Sequence, residues 1–381
     1  MHSRESSHGS KGDIMELMKA HQQWKTRPSD ERFKSVQDMH TAVLGFKDAS
    51  GTAIVPTSSL RVEAVDNDLK LVGKMGVPAT LTHWSMGQVC HHAGAPAAYI
   101  RGLPATLAAQ NINHGLKAHT SLKDTSALLF HQDDGLTLRG AVSEVYKRIW
   151  NSDITQRLLK LQETNPNWKN PLGYANGQMG GELVPSGLYA SDHDMFAFLV
   201  DESKTLDGSP KGLNRGFFTW NSEVGGSSFG FMGFYYDRVC GNNIVWGAKD
   251  VFSTKIRHVG KADDKAFQQL AVQMVKYQES EGGQVETMIQ KAKAFELGNT
   301  TEEILDKVFG MAQKQKSTEL NKTRLTAAIE TAQKREDRYG NSNTLWSIVS
   351  GLTENSQDIP FMDERLKIDK AAGKLLNVIE F

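Results

Sequence analysis

The chain has 381 residues, 39% hydrophobic and 23% charged, with 44 basic and 44 acidic side chains. That composition is globular and long enough for one large domain or two, and a net charge of zero supplies no overall field toward DNA or a membrane, so any nucleic-acid surface must be a local patch. Two cysteines, Cys90 and Cys240, are too few for a disulfide framework, and no apolar run approaches the roughly 20 residues that span a bilayer; the expectation is a cytoplasmic protein.

Met1 to Asp13 is a polar leader without the apolar stretch of a signal peptide. Ile14 to Arg27 has helical spacing, closed by Pro28. Thr41–Phe46 and Leu60–Val65 carry apolar residues near period two and are expected as strands. Ser50-Gly51 and Asp66-Asn67-Asp68 act as turns, and Leu69–Gly73 as the return strand of a hairpin. Leu81–Ala93 is a predicted helix capped by Thr82, followed by a second from Pro104 to His114. Ala127–Phe130 and Leu136–Val142 form a predicted hairpin around Asp134-Gly135. Asn151 or Ser152 caps a helix over Asp153–Gln162.

Asn165–Gly181 is rich in Asn, Pro and Gly and is expected as loop. Five short aromatic or β-branched runs follow as strands: Glu182–Tyr189, Met195–Val200, Gly216–Asn221, Ser227–Tyr236 and Asn242–Val251. Past Gly260 the period becomes helical. Asp263–Leu297 is broken near Glu281-Gly282-Gly283, Thr300–Lys314 starts on a capping signature, and Ser317–Tyr339 ends at Gly340. Asn343–Gly351 and Met362–Leu375 complete the chain. The expected class is α+β: an antiparallel β-sheet core with flanking helices and a mainly helical C-terminal region. The expected division is a polar leader with a short helix over 1–39, an α+β core over 40–262 and a helical region over 263–381.

The densest chemistry lies in Gly212–Gly260. Of 31 aromatic residues in the chain, ten fall between Phe217 and Phe252, interleaved with Arg215, Arg238, Lys249, Lys255, Arg257 and His258. Aromatic faces stack on unpaired bases and cations follow phosphates, although alternating aromatics in a sheet also bury area as core. Asn221-Ser222-Glu223 before Gly225-Gly226 is a polar stretch inside an apolar one, either a site or a self-bonded turn, and Asn242-Asn243 after Gly241 invites the same two readings. Arg139, Tyr146, Lys147 and Arg148 cluster at the end of a strand, as phosphate ligands or as a solvated face.

Enzyme signatures are lacking. Cys90-His91-His92 has adjacent side chains that diverge on a helix, and Asp192-His193-Asp194 and His131-Gln132-Asp133-Asp134 read mainly as solvated turns. The Gly225–Gly230 run lacks the lysine of a phosphate-binding loop, and neither a dinucleotide fingerprint nor a nucleophile elbow occurs. No catalytic residue, metal ligand or cofactor is assigned.

The succession APAAYIRGLP (95–104), RGAVSEVYKRIWN (139–151), NSEVGGSSF (221–229), YDRVCGNNIV (236–245) and IRHVG (256–260) resembles the phage/plasmid-like family built on domain of unknown function 932, over roughly residues 40 to 290. The resemblance implies a mobile-element protein in a bacterial cytoplasm, where single-stranded DNA is abundant, and carries no catalytic residue over. The leading expectation is a non-catalytic protein that binds or anneals single-stranded DNA in recombination or replication. By analogy with annealing proteins that form rings or filaments, it is a homo-oligomer. The expected ligands of the strand are Arg139, Lys147, Arg148, Arg215, Trp220, Asn221, Glu223, Tyr236, Arg238, Asn242, Lys255, Arg257 and His258. Two other readings are an inhibitor or regulator that binds a host defence protein, and a metal-dependent nuclease-like site built on Asp192, His193, Asp194 and Glu223.

Overall fold

Ser35 sets the first element: its hydroxyl accepts the Asp38 N–H at 3.0 Å and caps helix α1, Val36–Asp48. The strand expected over 41–46 is therefore helical. Within six residues TAVLGF mimics alternation, but over the longer window Val36, Met39 and Val43 fall at spacings of three and four and are all buried. Ser50-Gly51, expected as a turn, instead starts strand β1, Ser50–Pro56. The computed structural model describes residues 28–73, 77–121, 124–174, 183–206, 213–237, 253–260, 267–270, 272, 283–356, 368 and 371–377.

Strands β2 (Arg61–Val65) and β3 (Asp68–Val72) form the expected hairpin, with Asp66 and Asn67 both at positive φ in the turn. Strand β4 (Pro78–Leu81) leads into helix α2 (His83–His92), where Thr82 accepts the Ser85 N–H as cap. Helices α3 (Ala97–Arg101) and α4 (Ala105–His119) follow, the latter a turn longer than its sequence signal. Strands β5 (Thr125–Gln132) and β6 (Leu136–Ser143) complete a sheet in the order β1-β5-β6-β4-β3-β2, antiparallel except for β4 beside β6. Val89, Cys90, Ile112 and Leu116 from α2 and α4 pack on Val62, Leu71, Leu128 and Leu138 of this sheet.

After helix α5 (Asn151–Thr164) come β7 (Trp168–Lys169), β8 (Leu172–Tyr174), β9 (Leu183–Pro185), β10 (Leu188–Ala190), β11 (Met195–Leu206), β12 (Leu213–Asn221), β13 (Phe229–Asp237) and β14 (Ser253–Ile256). The second sheet runs β10-β11-β12-β13-β14 with β7 added on β11, all antiparallel. The run expected as a strand over 242–251 lies outside the described residues. One face of this sheet, with Ala197, Leu199, Phe217, Phe229 and Phe231, packs on α1 and α5. The other carries a buried ladder: Tyr189 on Phe196, Phe196 on Phe218 and Phe218 beside Trp220, with centroids 5.2–5.7 Å apart.

Helices α6 (Gly283–Ala294), α7 (Thr301–Lys314), α8 (Lys322–Lys334) and α10 (Leu345–Ser356) build a core of their own with Ile368 and Leu375, and the short α9 (Glu336–Tyr339) lies between α8 and α10 in the chain. Thr300 caps α7 at the Glu303 N–H, while the Glu303 carboxylate accepts the Asn299 N–H. The class is α+β, two mostly antiparallel sheets with flanking helices and a helical C-terminal region. Among the described residues no helix is long and apolar enough to cross a membrane.

Trp220 lies opposite Gly230 in register, and a Cβ at 230 would sit 1.8 Å from the indole. Gly230→Ala is expected to lower unfolding free energy by about 1–3 kcal/mol through overpacking. Gly310→Ala, in the open middle of α7, is expected to raise it by up to about 1 kcal/mol. Urea melts of the two variants test the pair, and equal effects would contradict the packing described.

Candidate functional site

The end of β12 and the loop that follows it, residues 221–226, are held by groups from four distant segments. Asn221 donates to the Ile149 carbonyl at 2.8 Å and to Asn151 Oδ1 at 2.7 Å. The Ser222 hydroxyl donates to the His193 carbonyl, and the Ser222 carbonyl accepts the Tyr146 hydroxyl at 2.6 Å. The Val224 carbonyl accepts Trp84 Nε1 at 3.1 Å and Gln88 Nε2 at 2.6 Å, while Gln88 Oε1 accepts the Ala141 N–H. The turn reading of this polar stretch thus holds only in part, because most of its partners lie 70 or more residues away in sequence.

Glu223 is the centre of the loop, with a side chain 2% exposed. Its Oε2 accepts Arg139 Nη2 at 2.9 Å and its Oε1 accepts the Asn151 N–H at 2.8 Å. The second bond places a carboxylate at the N-terminus of α5, whose flanking Trp150 supplies no capping side chain. The Glu223 carbonyl also accepts Arg148 Nε at 2.8 Å. Arg139 reaches inward because it is the extra residue of a bulge in β6: Gly140 pairs Leu129 and Leu138 pairs Phe130, leaving Arg139 unpaired in the ladder. Its Nε and Nη2 also donate to the Asp192 carbonyl.

A second cluster forms where residues 144–148 meet 257–260. Tyr146 bridges to Val259, the Lys147 N–H donates to the His258 carbonyl at 2.9 Å, and the His258 ring stacks on Tyr146 at 4.7 Å. His258 Nδ1 lies 3.0 Å from the Lys147 carbonyl. Burial pulls the His258 imidazole below its ordinary value, opposed by the bond to Lys147 and reinforced by the Arg148 charge. Burial also pushes the Tyr146 phenol up and lowers the Arg148 guanidinium, with Glu223 opposing the latter.

These contacts sort the residues expected to bind a strand. Arg139, Arg215, Trp220, Asn221, Glu223 and His258 are buried and do not line an open groove. The physical reason is that Arg139, Asn221, Glu223 and His258 are buried and hydrogen-bonded to internal groups, and Trp220 belongs to the aromatic ladder. Lys147, Lys255 and Arg257 are exposed and Arg148 half-buried. Tyr236 sits on β13 opposite Asn214, and Arg238 and Asn242 lie outside the described residues.

The metal reading loses its fourth member, because both Glu223 oxygens are occupied by Arg139 and Asn151. Among the described residues no group of three or more His, Cys, Asp or Glu side chains could hold a metal ion. His193 instead stacks on Trp84 at 5.5 Å and lies 3.0 Å from Asp192 Oδ1. Trp84 and Gln88 had no sequence signal, since they meet the loop only across more than 130 residues of chain.

Residues 196–364 match the family described as "Domain of unknown function (DUF932)". The DUF932 match begins within β11 and extends through α10, so it takes in the 221–226 loop, the 256–260 segment and most of the helical region. The stretches 95–104 and 139–151 that carry part of the resemblance lie outside it, and the span differs from the expected 40 to 290. No curated protein and no solved structure matches the chain significantly.

Glu223→Gln is expected to destabilise the fold by about 3–5 kcal/mol, because it leaves the Arg139 charge buried without its counter-ion. Replacing Arg139 and Glu223 together by Met and Leu should recover part of that loss in urea melts, and an additive double variant would show that the two do not act as a pair. For His258 the sign is set by its lowered folded-state value. The unfolded chain takes up the proton first, so stability is complete above about pH 6.5, the ordinary imidazole value, and falls as the pH drops from there toward the folded value. His258→Gln should flatten that acid limb, and an unchanged limb would remove His258 as its source.

Proposed function

We propose that this protein binds single-stranded DNA without catalysis, at a cationic edge formed by Lys147, Arg148, Lys255 and Arg257. The observation that supports this reading is the pairing of 144–148 with 257–260, which gathers cations from segments more than 100 residues apart. β14 is the last strand of its sheet's main path, and alternation carries on past its end. Ile256 and His258 are buried, while Lys255, Arg257 and Val259 are exposed. Among the described residues neither Lys147 nor Arg257 enters an ion pair. Phosphate contacts then supply the affinity, which suits a chain of zero net charge whose basic residues act as a local patch. The setting is that of a mobile genetic element in a bacterial cytoplasm, with annealing by a homo-oligomer as the corresponding activity.

For four phosphate contacts on a single strand, the slope of log K against log salt is expected near −3, at about 0.7 per contact. Lys255→Glu with Arg257→Glu should weaken binding at least ten-fold at low salt and make the slope shallower by about 1.4. Fluorescence anisotropy with a labelled oligonucleotide reads both, and an unchanged slope would remove the edge from the interface. A protein partner is the second reading, favoured by Val145 and Val259, which are 60% and 49% exposed beside the same cations. Salt-insensitive association with a protein, in the absence of oligonucleotide binding, would select it.

A further inference from the structure

We infer that the exposed Gly225-Gly226 turn, with Trp84 at one end and Tyr146 at the other, is a base-binding subsite for the single strand whose phosphates lie on the cationic edge. The inference rests on the nucleic-acid reading above and adds where the bases go. Gly225 takes φ +83°, a conformation that glycine adopts without a steric penalty. A Cβ at Gly226 would meet Ser222 Oγ at 3.1 Å and Trp84 Cζ2 at 3.5 Å, and one at Gly225 would meet Val142 Cγ1 at 3.1 Å and lie 3.9 Å from Tyr146 Cε2. Both glycines are exposed and form a ridge of backbone without side chains between the two rings. Such a ridge lets a flat ligand lie against peptide planes as well as rings.

Both rings are half-buried and fixed before any ligand arrives. Trp84 spends its Nε1–H on the Val224 carbonyl and rests one face on His193. Tyr146 donates its hydroxyl to the Ser222 carbonyl, accepts the Gly225 N–H at 3.2 Å and rests on His258. Rings held this way lose little rotamer freedom on binding, which makes stacking effective. Electrostatics orient the strand. The Trp84 end carries Asp192, whose Oδ1 lies 3.0 Å from His193 Nδ1, and Asp194, 3.7 Å from Nε2, so it disfavours phosphate. The Tyr146 end continues directly into Lys147 and Arg148 and pairs with Val259 next to Arg257. Phosphates thus run along the Tyr146 side, and bases turn toward the glycines and Trp84.

The test compares full-length protein on an oligodeoxythymidine and on an abasic strand of the same length and charge, by anisotropy. The base-bearing strand is expected to bind about ten-fold more tightly or better. Trp84→Ala should remove that difference while leaving the salt slope intact, and Trp84→Phe should restore most of it. Gly226→Leu, whose side chain would start against the Trp84 ring and the Ser222 hydroxyl, should act like Trp84→Ala; thermal melts check that each variant is folded, and if Trp84→Ala is not, Gly226→Leu carries the comparison. Equal binding of both strands by the wild type, or a difference that survives both substitutions, overturns the subsite and leaves the cationic edge standing. Binding of neither strand overturns both.

Discussion

A carboxylate taken out of water costs several kcal/mol unless both oxygens are engaged, and the way Glu223 meets that condition organises the molecule. One oxygen takes Arg139 from the first sheet, and the other takes the first N–H of α5, a helix that packs under the second sheet. The two sheets are thereby fixed to each other through one side chain. Two local features make this possible. The bulge in β6 turns Arg139 inward, and Gly140 lets the strand approach so closely that a Cβ there would lie 2.8 Å from Val224. Asn221, Ser222 and Val224 then add neutral bonds around the charged pair, so few of the loop's polar groups are left to a ligand.

That arrangement divides the region richest in aromatic and basic residues into two unlike parts. Phe196, Phe198, Phe217, Phe218, Trp220, Phe229 and Phe231 of β11 to β13 pack on the two faces of the second sheet, where their area stabilises the fold. The cations at 147, 255 and 257 are exposed, and the 144–148 segment pairs with 257–260 just past the end of β14. Trp84 and Tyr146, both half-buried, are set by hydrogen bonds to the same loop.

Much of the fold was legible because it depends on short-range rules. The Asp66-Asn67 hairpin, the Thr82 and Thr300 caps and the strands at 195–200 and 216–221 follow from turn chemistry, capping and alternation. The strand expected at 41–46 failed because six residues are too few to separate period two from period 3.6. For the site, the sequence marked Asn221-Ser222-Glu223 and Arg139 as unusual but could not choose between an exposed ligand set and an internal network. Both need the same polar residues beside glycines.

Composition, periodicity and turn residues by themselves determined an α+β chain with a helical C-terminal region, and drew attention to 221–226 and to the basic residues after β13. Tertiary structure alone decided that Glu223 and Arg139 neutralise each other in the interior, that Trp220 is core, and that Trp84 and Tyr146 flank the glycines. The reason is distance along the chain. Local patterns encode which way a side chain points from its own element, whereas a buried ion pair or a ring against a backbone turn depends on which remote element arrives opposite. Here the two halves of each contact are some 70 to 140 residues apart.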